Sequence, residues 1–307
     1  MMDRTRKSYR RRATLRSMYV ERACYFMIAP FLTAFFIFTV IPVIAAIVLS
    51  FTDFNMLQTP NFVGFDNYKT LFLNDDVFII AVRNTMIMAF ITGPVGYIAC
   101  FIFAWFINEL PNKIRAVMTL IFYAPSISGG ANMIWGVFFS GDSYGYANSI
   151  LMRLGMIQSP IQFFQNADYV MPLCIVVALW SSLGTSFLSF IGGLQTIDKA
   201  QFEAAAVDGI KNRWQELWFV TLPNMKSQLL FGAILAITSA FGFGAVVDAL
   251  AGNPSVDYCA WTIVHHLGDY GGARFEVGYA SAIATILFAM MVGSNMLVKK
   301  ILAKVGQ

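Results

Sequence analysis

The sequence predicts an all-α membrane protein, a bundle of six transmembrane helices with a cytoplasmic helix-turn-helix between the fourth and fifth. Three observations lead there. First, 58% of the 307 residues are hydrophobic and only 12% are charged, against roughly a quarter charged in a soluble domain. So little charge cannot cover a water-facing surface. Second, six runs free of Asp, Glu, Lys, Arg and His lie at about 23–51, 85–108, 116–140, 169–194, 227–247 and 277–298. A helix needs about 20 apolar residues to cross a hydrocarbon core of about 30 Å, and each run supplies them. Third, the basic residues crowd onto one side of the chain that these spans define.

Residues 1–22 hold Arg4, Arg6, Lys7, Arg10, Arg11, Arg12, Arg16 and Arg22 against Asp3 and Glu21. An apolar run follows at once, so this segment reads as a basic cytoplasmic topology anchor rather than a nucleic-acid arm. The run is too long for a signal-peptide core and lacks a small-residue cleavage site, so it opens a transmembrane domain over 23–303. Pro30, Pro42, Pro94, Pro125 and Pro172 lie inside spans, where neighbouring helices can re-satisfy the freed backbone groups.

When the two termini, the 109–115 loop and the 195–226 loop share a side, that side holds 17 of the 21 Lys and Arg residues. The other side keeps Lys69, Arg83, Arg153 and Arg274. The positive-inside rule then places both termini in the cytoplasm of a multi-pass protein. The outer segments 52–84, 141–168 and 248–276 are rich in Asn, Asp, Gly and aromatics. Asn74-Asp75-Asp76 lacks a completed ligand loop and reads as a solvated turn, not a calcium site. Asp248, near the outer end of the fifth span, reads as facing water. His265-His266 lies in an outer loop with no further ligands at metal-binding spacing. Cys24, Cys100, Cys174 and Cys259 show no CxxC spacing, so neither a metal site nor a disulfide framework is expected.

The 195–226 loop carries the sharpest signal. Phe202, Ala205, Ala206, Gly209 and Ile210 recur at helical spacing and build one apolar stripe. Asp198 followed by Gln201 suits an N-cap of capping-box type, and Gly209 suits a helix end. Trp214, Leu217, Trp218 and Thr221 repeat the helical spacing before Pro223. Such a helix-turn-helix could rest on lipid headgroups or dock a soluble partner. Ala204, Ala205 and Ala206 permit close approach, and Glu203 and Asp208 can pair with basic groups.

The string Glu203-Ala204-Ala205-Ala206-Val207-Asp208-Gly209, closed by Leu222-Pro223, resembles the EAA loop of ABC importer permeases. Gly193-Leu194-Gln195-Thr196-Ile197 is similar to the lead-in of the carbohydrate branch. The likeness extends along nearly the whole chain, through Phe62-Val63-Gly64-Phe65-Asp66-Asn67-Tyr68, Asn84-Thr85, Pro125, Ser128, Trp135, Gly252-Asn253-Pro254 and Gly278-Tyr279-Ala280-Ser281-Ala282. It implies a permease subunit of a binding-protein-dependent sugar importer, with Glu203, Ala204, Ala205, Asp208 and Gly209 coupling it to an ATPase. It also implies a second homologous permease, two ATP-binding subunits, an extracellular solute-binding protein and a bacterial or archaeal cytoplasmic membrane.

Other residues agree with that reading without having produced it. No GxxxxGK[ST] is present, so ATP and magnesium are expected on a partner subunit and no cofactor on this chain. The spans hold no Asp, Glu, Lys, Arg or His, which disfavours both a proton-coupled carrier and a membrane-embedded enzyme. No inverted repeat suggests a stand-alone secondary carrier. A sugar needs hydrogen bonds and aromatic faces. The candidates are Trp180, Ser181, Ser182, Thr185 and Ser186 on the fourth span and Thr238, Ser239, Phe241 and Phe243 on the fifth. Helix packing is the competing role for small polar residues. Glycerol phosphate and polyol importers of the same class are the nearest alternative.

Overall fold

The computed structural model describes residues 22–128 and 130–302, and the basic segment 1–21 lies outside them. Helix α1, Arg22–Leu49, carries no charged residue after Arg22. It loosens into a π-turn at Phe36–Val40, immediately before Pro42. Proline has no N–H to return to the preceding turn, and the wider turn absorbs the mismatch. Only the later part of α1, Ile41–Leu49, packs on the last long helix.

Helix α2, Asp66–Leu73, is held to the end of α1 by Asn67, whose Nδ2 donates to the Ser50 and Thr52 carbonyls at 2.9 and 2.8 Å. Tyr68 adds a 2.7 Å hydroxyl contact to Ser50. Helix α3 runs from Asp76 to Asn108, 33 residues, and starts earlier than its charge-free stretch because Asp75 caps it. Next come α4 (Asn112–Ile127), α5 (Ala131–Phe138), α6 (Tyr146–Arg153), α7 (Ala167–Ser181) and α8 (Thr185–Gln195). The remainder are α9 (Lys199–Val207), α10 (Arg213–Asn224), α11 (Lys226–Phe241), α12 (Gly244–Ala251), α13 (Ile263–Gly268) and α14 (Val277–Leu302).

Among the described residues the fold is helical, and its one β pairing is the Thr52–Phe62 bridge. Four helices are long and apolar enough to cross a bilayer alone: α1, α3, the 29-residue α7–α8 unit and α14. Two bent pairs qualify only jointly, α4–α5 at 83° and α10–α11 at 82°. Neither charge-free stretch, 116–140 or 227–247, is one continuous helix. The first ends at Ile127, where Pro125 has removed a helical donor and Ser128 turns extended. The second ends at Phe241, and Gly242 separates it from α12.

The bundle centres on α3, α8 and α11, which pack around Phe187, Phe190 and Met225, all fully buried. Small residues let the backbones meet. At Gly232 a β-carbon would enter the Phe190 ring, and the Gly232 carbonyl accepts from Ser186 Oγ at 3.2 Å. Outside this core Phe26, Phe38 and Phe90 are each more than half exposed. A soluble monomer does not display apolar surface on that scale, and a hydrocarbon environment removes its cost.

Asn84 and Thr85 bolt the chain between α12 and α14 to α3. Asn84 Nδ2 donates to the carbonyls of Tyr258 and Trp261 at 2.9 and 3.0 Å, and Thr85 Oγ1 accepts from the Ile263 amide at 2.9 Å. Replacing Asn84 with alanine leaves two carbonyls without this partner. The expected cost is about 2 kcal/mol, read as a lower thermal midpoint of the purified protein. An unchanged midpoint would mean that other groups satisfy those carbonyls.

Candidate functional site

A polar cavity of about 270 Å³ opens where α3, α4, α8 and α11 meet. Ser181, Ser182, Thr185, Ser186, Ser239 and Phe243 line it. The structure does not bring the other three candidates there. Trp180 packs edge-on against Trp135, with centroids 5.5 Å apart. Thr238 is exposed and returns its hydroxyl to the Ile234 carbonyl at 2.9 Å. Phe241 is buried and lines a separate apolar groove against α3 and α14.

Some hydroxyls in the cavity are committed to the helices. Ser181 donates to Asn132 at 3.0 Å, Ser182 to the Leu179 carbonyl at 2.7 Å and Ser186 to Gly232. The Thr185 and Ser239 hydroxyls make no hydrogen bond among the described residues, so both remain available to a ligand. Tyr97 and Tyr123 also line the space, and reading only the fourth and fifth spans missed them. Their signal was available, since a tyrosine within an apolar span carries a hydroxyl that needs a partner. Tyr97 has one, the Leu229 carbonyl at 3.2 Å. Tyr123 also lines a second cavity of about 570 Å³, beside Arg115, Thr119 and Gln195. It therefore stands between the two spaces.

The helix-turn-helix is built by local capping. Asp198 accepts from the Ala200 amide at 3.0 Å and starts α9. Gln201 does not close a capping box. Its side chain accepts from Asn224 Nδ2 at 2.6 Å and ties α9 to the end of α10. Gly209 takes φ +95°, while its own amide and that of Ile210 bond to the Ala206 and Ala205 carbonyls at 3.3 and 3.0 Å. This Schellman pairing needs the left-handed conformation glycine tolerates. Asn212 caps α10 through the Gln215 amide at 2.8 Å. Arg213 pairs with Glu109 at the end of α3 and with Glu216, at 3.0 and 2.6 Å. Trp214 packs on Trp105 of α3, centroids 5.3 Å apart.

The expected coupling residues divide on this scaffold. Glu203, Ala204 and Asp208 are exposed, and Glu203 makes no hydrogen bond or ion pair among the described residues. Ala205 is buried and packs the motif together.

The cluster around Asp75 departs most from expectation. Asp75 does not sit in a freely solvated turn. Its Oδ1 accepts from the Phe78 amide at 2.9 Å. Its Oδ2 takes the Tyr279 hydroxyl at 2.8 Å and His266 Nε2 at 2.9 Å. Burial pushes the Asp75 carboxyl up, but these three partners outweigh it and hold the group below the usual carboxylate range. His265 and His266, expected in a loop, are buried on α13 at 4% and 3% exposure. They lie 191 residues from Asp75 along the chain in the His266 contact, beyond the reach of local pattern. No group of three metal-ligating side chains occurs among the described residues.

Residues 85–305 match the family described as "Binding-protein-dependent transport system inner membrane component". The chain belongs to that family. As a member of this permease family it is an integral, multi-pass membrane protein. It is 31% identical over 280 residues to the probable ABC transporter permease protein YesP of Bacillus subtilis, covering 88% of this chain and 86% of that one. It is 30% identical over 273 residues to the arabinooligosaccharides transport system permease protein AraP of the same species, covering 88% and 85%. One chain of a crystal structure of a bacterial alginate ABC transporter, in complex with its alginate-pentasaccharide-bound periplasmic protein, has the same fold. Its TM-score is 0.74 at 24% identity, over 95% of this chain and 99% of that one.

Proposed function

We propose that this permease subunit imports a sugar or oligosaccharide, driven by ATP hydrolysis on partner subunits. The cavity carries the reading. Its uncommitted Thr185 and Ser239 hydroxyls can bond a polyhydroxylated solute, while Tyr97, Tyr123 and Phe243 offer aromatic faces. No charged side chain lines that space, which suits a neutral solute. Kinship with a permease named for arabinooligosaccharides supports the same class.

In this reading the chain crosses the membrane six times with both termini in the cytoplasm, the bent pairs each counting once. Residues 1–22 anchor the topology ahead of the 23–303 transmembrane domain. A second homologous permease closes the open side of the cavity. Two ATP-binding subunits, which carry ATP and magnesium, receive the 195–226 loop through Glu203, Ala204, Asp208 and the turn at Gly209. An extracellular solute-binding protein delivers the sugar.

The test is purification on a tag at this chain after co-expression with its neighbouring genes, followed by reconstitution. Copurification of an ATP-binding subunit, with ATP-dependent uptake of a labelled oligosaccharide, is the expected result. Thr185→Ala and Ser239→Ala should raise the solute concentration needed for half-maximal uptake several-fold, about one hydrogen bond each. A chain that purifies alone and moves solute without ATP would replace this reading with a secondary carrier.

A further inference from the structure

Arg115, on the first turn of α4, is a half-buried cation without an anion. Its Nη1 donates to Asn108 Oδ1 at 3.1 Å and its Nη2 to Asn112 Oδ1 at 2.5 Å. Both acceptors are neutral amides, and no carboxylate pairs with the guanidinium among the described residues. Glu109, the nearest acid along the chain, pairs with Arg213 instead. The Arg115 Nε is enclosed and has no acceptor, while each Nη keeps a further N–H. Withdrawing a cation from water without a counter-charge is costly. The two asparagines also hold the planar fork in place, so an arriving anion meets donors that are already ordered.

This cation lines the cavity of about 570 Å³, and no acidic side chain lines it with Arg115. Arg115, Thr119 and Tyr123 follow at four-residue spacing, so they share one face of α4. The cation and the tyrosine are thus about 12 Å apart along the helix axis. Thr119 returns its hydroxyl to the Arg115 carbonyl at 2.8 Å. The side chains of Tyr123 and of Gln195, on α8, make no hydrogen bond among the described residues. The space therefore offers a fixed cation at one end, a free hydroxyl with an aromatic face at the other, and a free amide. An inorganic anion alone would leave most of it unfilled.

We propose that this cavity binds a phosphate ester of a polyol, with the phosphate on Arg115 and the hydroxyl-bearing part against Tyr123 and Gln195, and that its occupancy slows transport. A phosphate brings several acceptor oxygens and the missing negative charge to the guanidinium. The polyol part gives Tyr123 and Gln195 the hydrogen bonds they lack. A soluble sugar phosphate and the glycerol phosphate headgroup of an anionic lipid share this chemistry.

The slowing follows from Tyr123, which lines this space and the solute cavity alike. A ligand seated against that ring fills the way from one to the other. The two cavities differ in charge, so the ligand of the second is not the neutral solute of the first. The slowing, and the opening of this cavity toward the cytoplasm, rest on the importer reading and its topology. The binding does not.

The test begins with calorimetric titration of the purified complex in phosphatidylcholine nanodiscs, using glucose 6-phosphate as the probe and glucose as its control. The ester should bind at least about tenfold more tightly than glucose, and Arg115→Gln should remove that preference. Tyr123→Phe and Gln195→Ala should each weaken the ester several-fold, and they carry the test if Arg115→Gln does not fold. Nanodiscs containing phosphatidylglycerol then separate the two sources. A lipid occupant should raise the thermal midpoint of the wild type but not of Arg115→Gln, and should exclude the ester. Ester binding that phosphatidylglycerol leaves unchanged assigns the site to a soluble sugar phosphate. In proteoliposomes the occupant so identified, the ester on the ATP side or phosphatidylglycerol in the bilayer, should slow wild-type uptake and not that of Arg115→Gln. The proposal is overturned if neither probe binds, if glucose binds as well as its phosphate, if all three variants bind like the wild type, or if an occupied site leaves uptake unslowed. Uptake absent under every condition would fail the importer reading instead, and the titrations would still decide the site.

Discussion

Glu203→Lys should abolish coupled transport while leaving the permease folded. The side chain is exposed on α9 and bonds to nothing among the described residues, so the substitution stays within the small range of surface changes, about 0.5 kcal/mol. A charge reversal at a docked face costs several kcal/mol when like charges meet, more than about tenfold in affinity. Solute-stimulated ATP hydrolysis in proteoliposomes should therefore drop by more than that factor. The thermal midpoint should not move. A variant with wild-type stimulation would show that this face of α9 meets no partner, and the loop would then be an amphipathic element on the headgroups.

Gly232→Val should do the opposite, removing the fold and transport together. The β-carbon would land in the Phe190 ring, which cannot swing aside. That ring is fully buried and held edge-on by Tyr97 and Phe101, with centroids 5.5 and 5.6 Å away. Overpacking in such a place costs about 3 kcal/mol, a fall of at least about 6 °C in the midpoint. Gly192→Ala is the control, because its β-carbon meets nothing within 4 Å. Equal midpoints for the two variants would mean that α8 and α11 adjust their separation freely.

Local features were legible and distant ones were not. Asp198, Gly209 and the helical spacing around Trp214 announce α9 and α10 because caps and turns are settled within a few residues. The serines near residue 182 were recognisable as cavity residues because polar side chains are conspicuous in an apolar run. Trp180 and Phe241 lie away from this cavity, since an aromatic ring in a span suits packing as well as a ligand. The breaks after Ile127 and Phe241 fall inside uninterrupted apolar runs, where hydropathy gives no sign of them. Asn84 reaches Trp261 across 177 residues and Asp75 reaches His266 across 191. Only the folded chain shows that those polar groups satisfy one another.

The near-right angle between α10 and α11 has a mechanical consequence. Two arms joined at 82° form a bell crank, which turns a push along one arm into a swing of the other. The corner is braced, because Asn224 Nδ2 donates both to Gln201 of α9 and to the Val220 carbonyl at 2.8 Å. Arg213 and Trp214 brace the far end of the short arm against α3. A load applied to α9 therefore reaches the long arm as torque, and Ser239 rides on that arm at the wall of the cavity.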